Sequence, residues 1–272
     1  MAYFPYDKYR VYYEEYGKGK PLVVLNGIMM STASWKEFIE PFSANNRLIL
    51  VDFLDQGKSD KLVGMEYDHA IQVELVKALL DFLDLDKVCL MGISYGSEVG
   101  QEFTLKYPER VERLLLFNAT ARTGPWLGDI GDAWNLATRD PDAYYLTTIP
   151  VIYSPGFYLK KNEWMNRRRE ALRPVFGNPD FIQAMIRLTN SSRNYDVTDQ
   201  IQNIKVPTLV VSCQQDYLTP VEEQQFIVSR IPDSHYVVLP DCGHASMYEQ
   251  PLMYAALVVG FCNVSKTEFK IT

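Results

Sequence analysis

Histidine and cysteine are scarce in this chain of 272 residues, and their scarcity narrows the chemistry it can perform. The three histidines are His69, His235 and His244. The four cysteines lie far apart and form no Cys-x-x-Cys pair, which argues against a zinc site or a redox pair of the usual spacing. We therefore predict no metal and no organic cofactor, and we expect the cysteines to be reduced, as in a cytoplasmic protein.

Basic charge and long apolar runs are also in short supply. The chain has 27 lysines and arginines against 34 aspartates and glutamates, a net charge of −7. A nucleic-acid-binding protein needs a broad basic surface to neutralise phosphates, so we expect no nucleic-acid partner. No apolar run reaches the 18 or so residues of a membrane span, and the first residues carry no basic and apolar leader. The sequence does not indicate an oligomeric state.

Short valine- and leucine-rich runs alternate with helical patterns along most of the chain. The runs lie at 21–26, 48–52, 88–93, 114–117, 208–212 and 236–239. This alternation predicts an α/β fold with a mostly parallel sheet flanked by helices. Residues 8–16 are rich in tyrosine and valine and predict an edge strand. A capping-box sequence at Thr219–Glu222 predicts the start of a helix.

One long segment, 122–203, breaks the alternation. It contains three of the four tryptophans and no run typical of a buried strand. We predict that it forms a helical cap inserted after the sixth strand, above the C-terminal edge of the sheet. Residues 1–121 and 204–272 would then form the α/β core.

The sequence Gly92-Ile93-Ser94-Tyr95-Gly96 has the form of a nucleophile on a sharp turn. It directly follows a predicted strand and opens a predicted helix. In such a turn the residues two before and two after the nucleophile must be small, because strand and helix nearly collide there. Ser94 is therefore the candidate nucleophile.

A serine hydroxyl needs a base and an orienting acid to become an effective nucleophile. His244 follows the last predicted strand, at the sheet edge where open α/β folds place their sites. Asp216 follows the strand before it and lies at the same edge. For His69 we expect an exposed position in the first turn of a helix, and for His235 a structural role. The order Ser94, Asp216, His244 is one of the known orders for this chemistry.

The loop Asn26-Gly27-Ile28-Met29 follows the first of the valine-rich strands. Acyl transfer requires hydrogen-bond donors aimed at the oxyanion that develops on the carbonyl. We predict that the backbone N–H groups of Ile28 and Tyr95 supply them.

These motifs resemble those of the α/β-hydrolase superfamily, and specifically its capped members with a serine nucleophile. The resemblance runs from about residue 12 to residue 261, with the cap comparable only by position. Family members often have His-Gly where this chain has Asn26-Gly27, and Asp-x-x-Gly-x-Gly-x-Ser where it has Asp52-Phe-Leu-Asp55-Gln-Gly57-Lys-Ser59. Asp55 thus stands in the place of a glycine, and the triad residues are kept.

The resemblance implies a serine hydrolase acting on a small-molecule carboxylic ester through an acyl-enzyme. The same triad also serves thioesterases, amidases or peptidases, C–C bond hydrolases and acyltransferases, and the fold does not choose among them. A non-catalytic protein that binds a small molecule is a further alternative. Four residues near the loops or in the cap are candidates for the pocket wall: Met29, Trp126, Trp164 and Tyr217.

Overall fold

A computed structural model describes residues 2–264 of the chain. Within these residues eight strands form one sheet, in the order β1-β2-β4-β3-β5-β6-β7-β8. The strands span Ala2–Tyr6 (β1), Tyr9–Tyr16 (β2), Lys20–Leu25 (β3), Asn46–Val51 (β4), Val88–Ile93 (β5), Val111–Phe117 (β6), Thr208–Cys213 (β7) and Ser234–Leu239 (β8). The helices span Ile39–Ser43 (α1), Ala70–Phe82 (α2), Tyr95–Lys106 (α3), Pro125–Ala137 (α4), Pro141–Ile152 (α5), Pro155–Lys160 (α6), Asn162–Phe176 (α7), Pro179–Ser191 (α8), Val221–Arg230 (α9), Ser246–Glu249 (α10) and Pro251–Asn263 (α11).

The sheet is parallel from β4 onward and antiparallel at its first two strands. All but one of the valine-rich runs lie in inner strands, whose faces are covered by helices; the run at 236–239 lies in the edge strand β8 and is partly exposed. β2, predicted as the edge strand, is instead the second strand, because β1 pairs with it on the outside. The C-terminal ends of β3, β5, β6, β7 and β8 therefore meet at one edge.

Alternate residues of each strand pack into different cores, one on each side of the sheet. On β3, Val23 and Leu25 face a core shared with α2, α3 and the cap helices. Leu22 and Val24 face a second core built with α1 and α11. This period of two fixes the strand register, since a slip of one residue would turn every side chain to the other side.

Five helices, α4 to α8, lie between β6 and β7, which confirms the predicted helical insertion after the sixth strand. All but α7 begin with proline. The residue before that proline caps three of them: Asp140, Ser154 and Asn178 accept hydrogen bonds from backbone N–H groups of the first turn. Proline lacks the N–H that would be unsatisfied there, so each cap-and-proline pair marks a helix start. The predicted core ranges extend to residues 1 and 272, which lie outside the described residues.

The expectation that all four cysteines are reduced is wrong for one pair. Cys89 on β5 and Cys262 on α11 form a disulfide, with Cα atoms 6.0 Å apart. They are separated by 173 residues, so spacing along the chain could not indicate the pairing. Cys213 and Cys242 are buried and free. The argument from reduced cysteines to a cytoplasmic protein therefore loses its support.

Among residues 2–264, none of the helices has both the length and the apolar character needed to cross a membrane.

Candidate active site

Ser94 lies on the sharp turn between β5 and α3, as the motif predicts. Its backbone has φ 54° and ψ −123°, a conformation that is costly for a residue with a side chain. A β-carbon at Gly92 would collide with the carbonyl oxygen of Gly96, and one at Gly96 would collide with that of Leu25. Both glycines are thus required by close contact. The Ser94 N–H donates to the carbonyl oxygen of Phe117 on β6 (2.9 Å), which fixes the turn to the sheet.

His244 and Asp216 meet at the same sheet edge. The Nδ1 atom of His244 lies 2.8 Å from the Oδ2 atom of Asp216, and the Asp216 carboxylate is fully buried. This leaves the Nε2 atom of the imidazole for another partner. The arrangement fixes the ring orientation and its tautomer, which is the role expected of the acid in a triad.

The carboxylate of Asp216 is held by four further hydrogen bonds. Its Oδ1 accepts the N–H groups of Leu218 and Thr219, and its Oδ2 accepts the Thr219 hydroxyl and the Asn118 amide. Burial alone would raise the pKa of Asp216, but the His244 charge and these hydrogen bonds outweigh it and lower the pKa below its ordinary value. Asp216 is therefore ionised at neutral pH. The stability that it contributes is present above the unfolded-state pKa and is lost as pH falls through the lower folded-state pKa.

Two members of this network were not found from the sequence. Asn118 follows β6 with φ 51°, and its amide joins Asp216 to the Ser246 hydroxyl. Thr219 does not cap α9 as its sequence predicts, because that helix starts at Val221 and the Thr219 hydroxyl is engaged by Asp216. A polar residue directly after a buried strand, at the same edge as Ser94, was the available signal for Asn118.

The loop after β3 lies against Ser94. A β-carbon at Gly27 would lie 3.5 Å from the Ser94 Cβ atom. Gln56 fixes the loop by donating to the carbonyl oxygens of Gly27 (2.8 Å) and Ile28 (3.3 Å). Within residues 2–264 the N–H groups of Ile28 and Tyr95 have no acceptor, and both residues line the cavity that Ser94 faces. They have the properties of the predicted oxyanion donors.

Asn26 occupies the position where the family pattern has histidine. Its side chain accepts a hydrogen bond from the Trp35 indole (2.7 Å) and donates to the carbonyl oxygen of Val51 (2.8 Å). Both contacts are buried. Asn26 therefore ties the start of the loop to the neighbouring strand and to the packing below it, without reaching the cavity.

The Ser94 cavity has a volume of about 220 Å³ and lies between the sheet edge and the cap. Ser94, His244, Ile28, Tyr95 and Met29 line it on the core side. The cap contributes a largely apolar part of the wall: Leu127, Ile130, Trp134, Ile149, Ile152, Leu172, Val175, Phe176 and Phe181. Such a cavity, with a few convergent polar groups, is typical of a small-molecule site.

Of the four predicted wall residues only Met29 lines this cavity. Trp126 and Tyr217 are 50% and 58% exposed; they pack against each other on the surface, and the Trp126 indole donates to the Tyr217 carbonyl oxygen. Trp164 packs in an aromatic cluster with Phe157 and Tyr248. The prediction is wrong for these three because membership of the wall depends on how the cap helices turn.

The expectation of an exposed His69 is also wrong. Its ring is 2% exposed and lies between two carboxylates of α3, Glu98 and Glu102. His235 is exposed on β8, close to Asp233. No group of three or more histidine, cysteine, aspartate or glutamate side chains within residues 2–264 has the geometry of a metal site.

The cap is joined to the core by a buried ion pair that involves the unusual Asp55. Arg187 of α8 donates to both Asp55 oxygens, from Nε (2.9 Å) and from Nη2 (2.5 Å). The Tyr67 hydroxyl and the Leu62 N–H donate to the same carboxylate. Asp55 has φ 71°, a glycine-like conformation, so a residue with a side chain is kept there at a conformational cost.

We expect Asp55→Gly to destabilise the protein even though it restores the family glycine. The substitution relieves the positive φ, but it leaves the Arg187 guanidinium, 13% exposed, without its partner. Breaking a buried pair from one side costs about 3–5 kcal/mol, more than the roughly 1–2 kcal/mol of backbone strain. Denaturant unfolding measures the difference.

The matched control is the double variant Asp55→Gly/Arg187→Met. Since it removes both charges and keeps the bulk of the arginine stem, it should recover most of the lost stability. An Asp55→Gly protein as stable as the wild type would show that the ion pair does not hold the cap.

Comparison with known proteins agrees with this architecture. A model of the alpha/beta hydrolase fold family matches residues 20–251. The crystal structure of MGS-M2, an alpha/beta hydrolase enzyme from a Medee basin deep-sea metagenome library, is 44% identical, with 99% of this chain and 100% of that chain covered and a TM-score of 0.97. A thermophilic esterase from Thermogutta terrifontis is 26% identical, with 93% of both chains covered and a TM-score of 0.79.

A curated relative is named for a different reaction. The 2-hydroxy-6-oxononadienedioate/2-hydroxy-6-oxononatrienedioate hydrolase of Escherichia coli is 27% identical, over 93% of this chain and 90% of its own length. The predicted fold and family are both confirmed. The chain belongs to the alpha/beta hydrolase fold family.

Proposed function

We propose that the protein is a serine hydrolase that cleaves a small-molecule carboxylic ester through an acyl-enzyme on Ser94. The observation that carries this proposal is the buried pair of His244 and Asp216 beside a strained Ser94 that shares a largely apolar cavity with His244. The volume of about 220 Å³ suits a small acyl group with its alcohol.

The geometry supports a two-step acyl transfer. Because Nδ1 of His244 is engaged by Asp216, Nε2 accepts the Ser94 proton as Oγ attacks the carbonyl carbon. The N–H groups of Ile28 and Tyr95 stabilise the oxyanion, and loss of one such donor typically costs about 3–4 kcal/mol in the transition state. The intermediate then expels the alkoxide, which takes the proton from Nε2. Water, deprotonated by His244, hydrolyses the acyl-enzyme and regenerates Ser94.

Cleavage of a C–C bond next to a ketone is the second candidate. It is favoured by the Escherichia coli relative, whose name describes a hydrolase of a 2-hydroxy-6-oxo-dienedioate. The same serine, base and oxyanion donors serve this reaction, with a carbanion equivalent as the leaving group. Turnover of a vinylogous diketone well above that of any simple ester would favour this candidate over the esterase.

Active-site labelling tests the proposal directly. A fluorophosphonate should react once per chain at neutral pH, with fragmentation of the modified peptide placing the adduct on Ser94 rather than on Ser97. Ser97 is a built-in control, because its buried hydroxyl donates to the carbonyl oxygens of Gly92 and Phe117. Unfolded protein should not react. An unlabelled folded protein that also fails to hydrolyse a chain-length series of esters would overturn the proposal and favour a binding role.

A further inference from the structure

Glu98 places a carboxylate in the wall of the Ser94 cavity. The residue lies on α3 one helical turn after Ser94, which corresponds to about 6 Å along the helix axis. It is 5% exposed and lines the cavity together with Ser94 and Tyr95. An acid so close to the nucleophile is not required by the proposed acyl transfer, and a buried charge is costly unless something pairs with it.

The groups around Glu98 do not fully neutralise the charge of its carboxylate. Its Oε2 atom lies 3.2 Å from Nε2 of His69, and Nδ1 of the same ring lies 3.6 Å from Oε2 of Glu102. Neither ring nitrogen nor the Glu98 Oε2 atom is aligned for a hydrogen bond with any described residue. One imidazole, even when protonated, carries a single positive charge against two carboxylates. This part of the wall is therefore rich in acceptors.

The two tyrosines beside His69 and one of the two arginines of the cavity wall are engaged elsewhere; the other arginine, Arg168, stacks on the rings of Trp164 and Tyr248. The rings of Tyr95 and Tyr195 pack on His69, but their hydroxyls bond to Ser191 and to the carbonyl oxygen of Thr120. Arg193, which also lines the cavity, pairs with Asp132. Among residues 2–264 no lysine or arginine forms an ion pair with Glu98. Its remaining acceptor capacity is available to a molecule in the cavity.

We propose that Glu98 is a specificity-determining residue that accepts a hydrogen bond from a hydroxyl or ammonium group of the substrate. This inference rests on the proposed function. The spacing of one helical turn places that group a few bonds from the reacting carbonyl carbon, because the carboxylate and Ser94 face the same cavity from one helix. The substrate class is thus an ester with a donor close to the carbonyl, in a pocket whose wall is largely apolar.

Three methyl esters of nearly equal shape test this inference: 3-hydroxybutanoate, 3-aminobutanoate and 3-methylbutanoate. They differ only in a hydroxyl, ammonium or methyl group at one position. The wild type should favour the 3-hydroxybutanoate and 3-aminobutanoate esters over the 3-methylbutanoate ester by about tenfold or more in kcat/KM. This is the usual effect of one hydrogen bond to a charged group. The rate of each reaction is measured from the protons that hydrolysis releases.

Two variants separate charge from hydrogen bonding. Glu98→Gln keeps an acceptor oxygen and the shape of the side chain, so it should retain the hydroxyl preference and lose the ammonium preference. Glu98→Leu should lose both preferences and gain activity on the 3-methylbutanoate ester. Glu102→Gln is the matched control, since Glu102 faces the same imidazole without lining the cavity. It should leave the order of the three esters unchanged.

Equal changes for all three esters in both Glu98 variants would overturn the inference and leave Glu98 with a structural role toward His69. Failure of the proposed function would look different: no ester would be hydrolysed and Ser94 would not be labelled. In that case the role of Glu98 is tested by measuring the binding of the three esters by calorimetry. Tighter binding of the donor-bearing esters, lost in Glu98→Leu, supports the inference, and equal binding overturns it.

Discussion

Replacing Ser94 by alanine should lower kcat for ester hydrolysis by about 10⁶-fold, to a residual rate due to the oxyanion donors and binding alone. The expectation follows from the sharp turn at Ser94, because within residues 2–264 no other hydroxyl-bearing residue has a positive φ. Steady-state kinetics on the best ester of a chain-length series measures the loss. KM should change little, since the cavity wall is intact.

The fold of the Ser94→Ala protein must be shown to be unchanged. Alanine at φ 54° keeps the β-carbon and its strain, so thermal unfolding should agree with the wild type within a few degrees. Residual activity above one percent of the wild type in a correctly folded variant would contradict the acyl-enzyme mechanism. It would require a second nucleophile in the same cavity.

The second large effect is expected for Asp216→Asn, at about 10⁴-fold in kcat. The Oδ1 atom accepts two backbone N–H groups, so the amide oxygen of the variant would stay on that side. The amide nitrogen would then face two groups that now contact Oδ2: Nδ1 of His244 and the amide of Asn118. Donor would meet donor at both contacts, which favours the wrong imidazole tautomer and leaves Nε2 protonated.

Asp241→Asn is the matched control for this prediction. Asp241 is the carboxylate nearest to His244 along the chain, but it is exposed, and within residues 2–264 its carboxylate accepts a hydrogen bond only from the side chain of Gln215. Its replacement should change kcat by less than about threefold, as expected of an exposed surface position. A loss of activity in Asp241→Asn with retention in Asp216→Asn would reverse the assignment of the acid.

The sequence predicts the centre of the fold well because the physical demands there are local. Gly92 and Gly96 identify the sharp turn around Ser94 from the sequence, since the close approach of strand and helix there excludes any β-carbon. The central valine-rich strands are readable because both of their faces are buried. β1 was missed because it lies at the sheet edge, where a short exposed strand leaves almost no apolar pattern.

The features missed from the sequence depend on contacts between distant segments. His69 opens an otherwise ordinary helix, and its burial follows from the two carboxylates that α3 brings to it. The cavity wall depends on the rotation of the cap helices, which places Trp134 inside and Trp126 outside. Asp55 was noticed as a departure from the family pattern, but its partner lies 132 residues away. The roles of Ser94, Asp216 and His244 stay predictions until the variants are measured.

The way the two ends of the cap segment meet has a consequence for protein engineering. Arg122 and Asp196 form an antiparallel bridge, and the Val197 N–H donates to the carbonyl oxygen of Ala121 (2.8 Å). The segment therefore leaves and rejoins the core at nearly one point, the geometry in which domain insertions are tolerated. A chimera could exchange the whole cap through these ends, provided that the new cap offers a backbone N–H to Glu249, which now accepts those of Ser154 and Gly243 together. The cap is in this sense a replaceable module, provided that the new cap also supplies a cation for Asp55 in the place of Arg187.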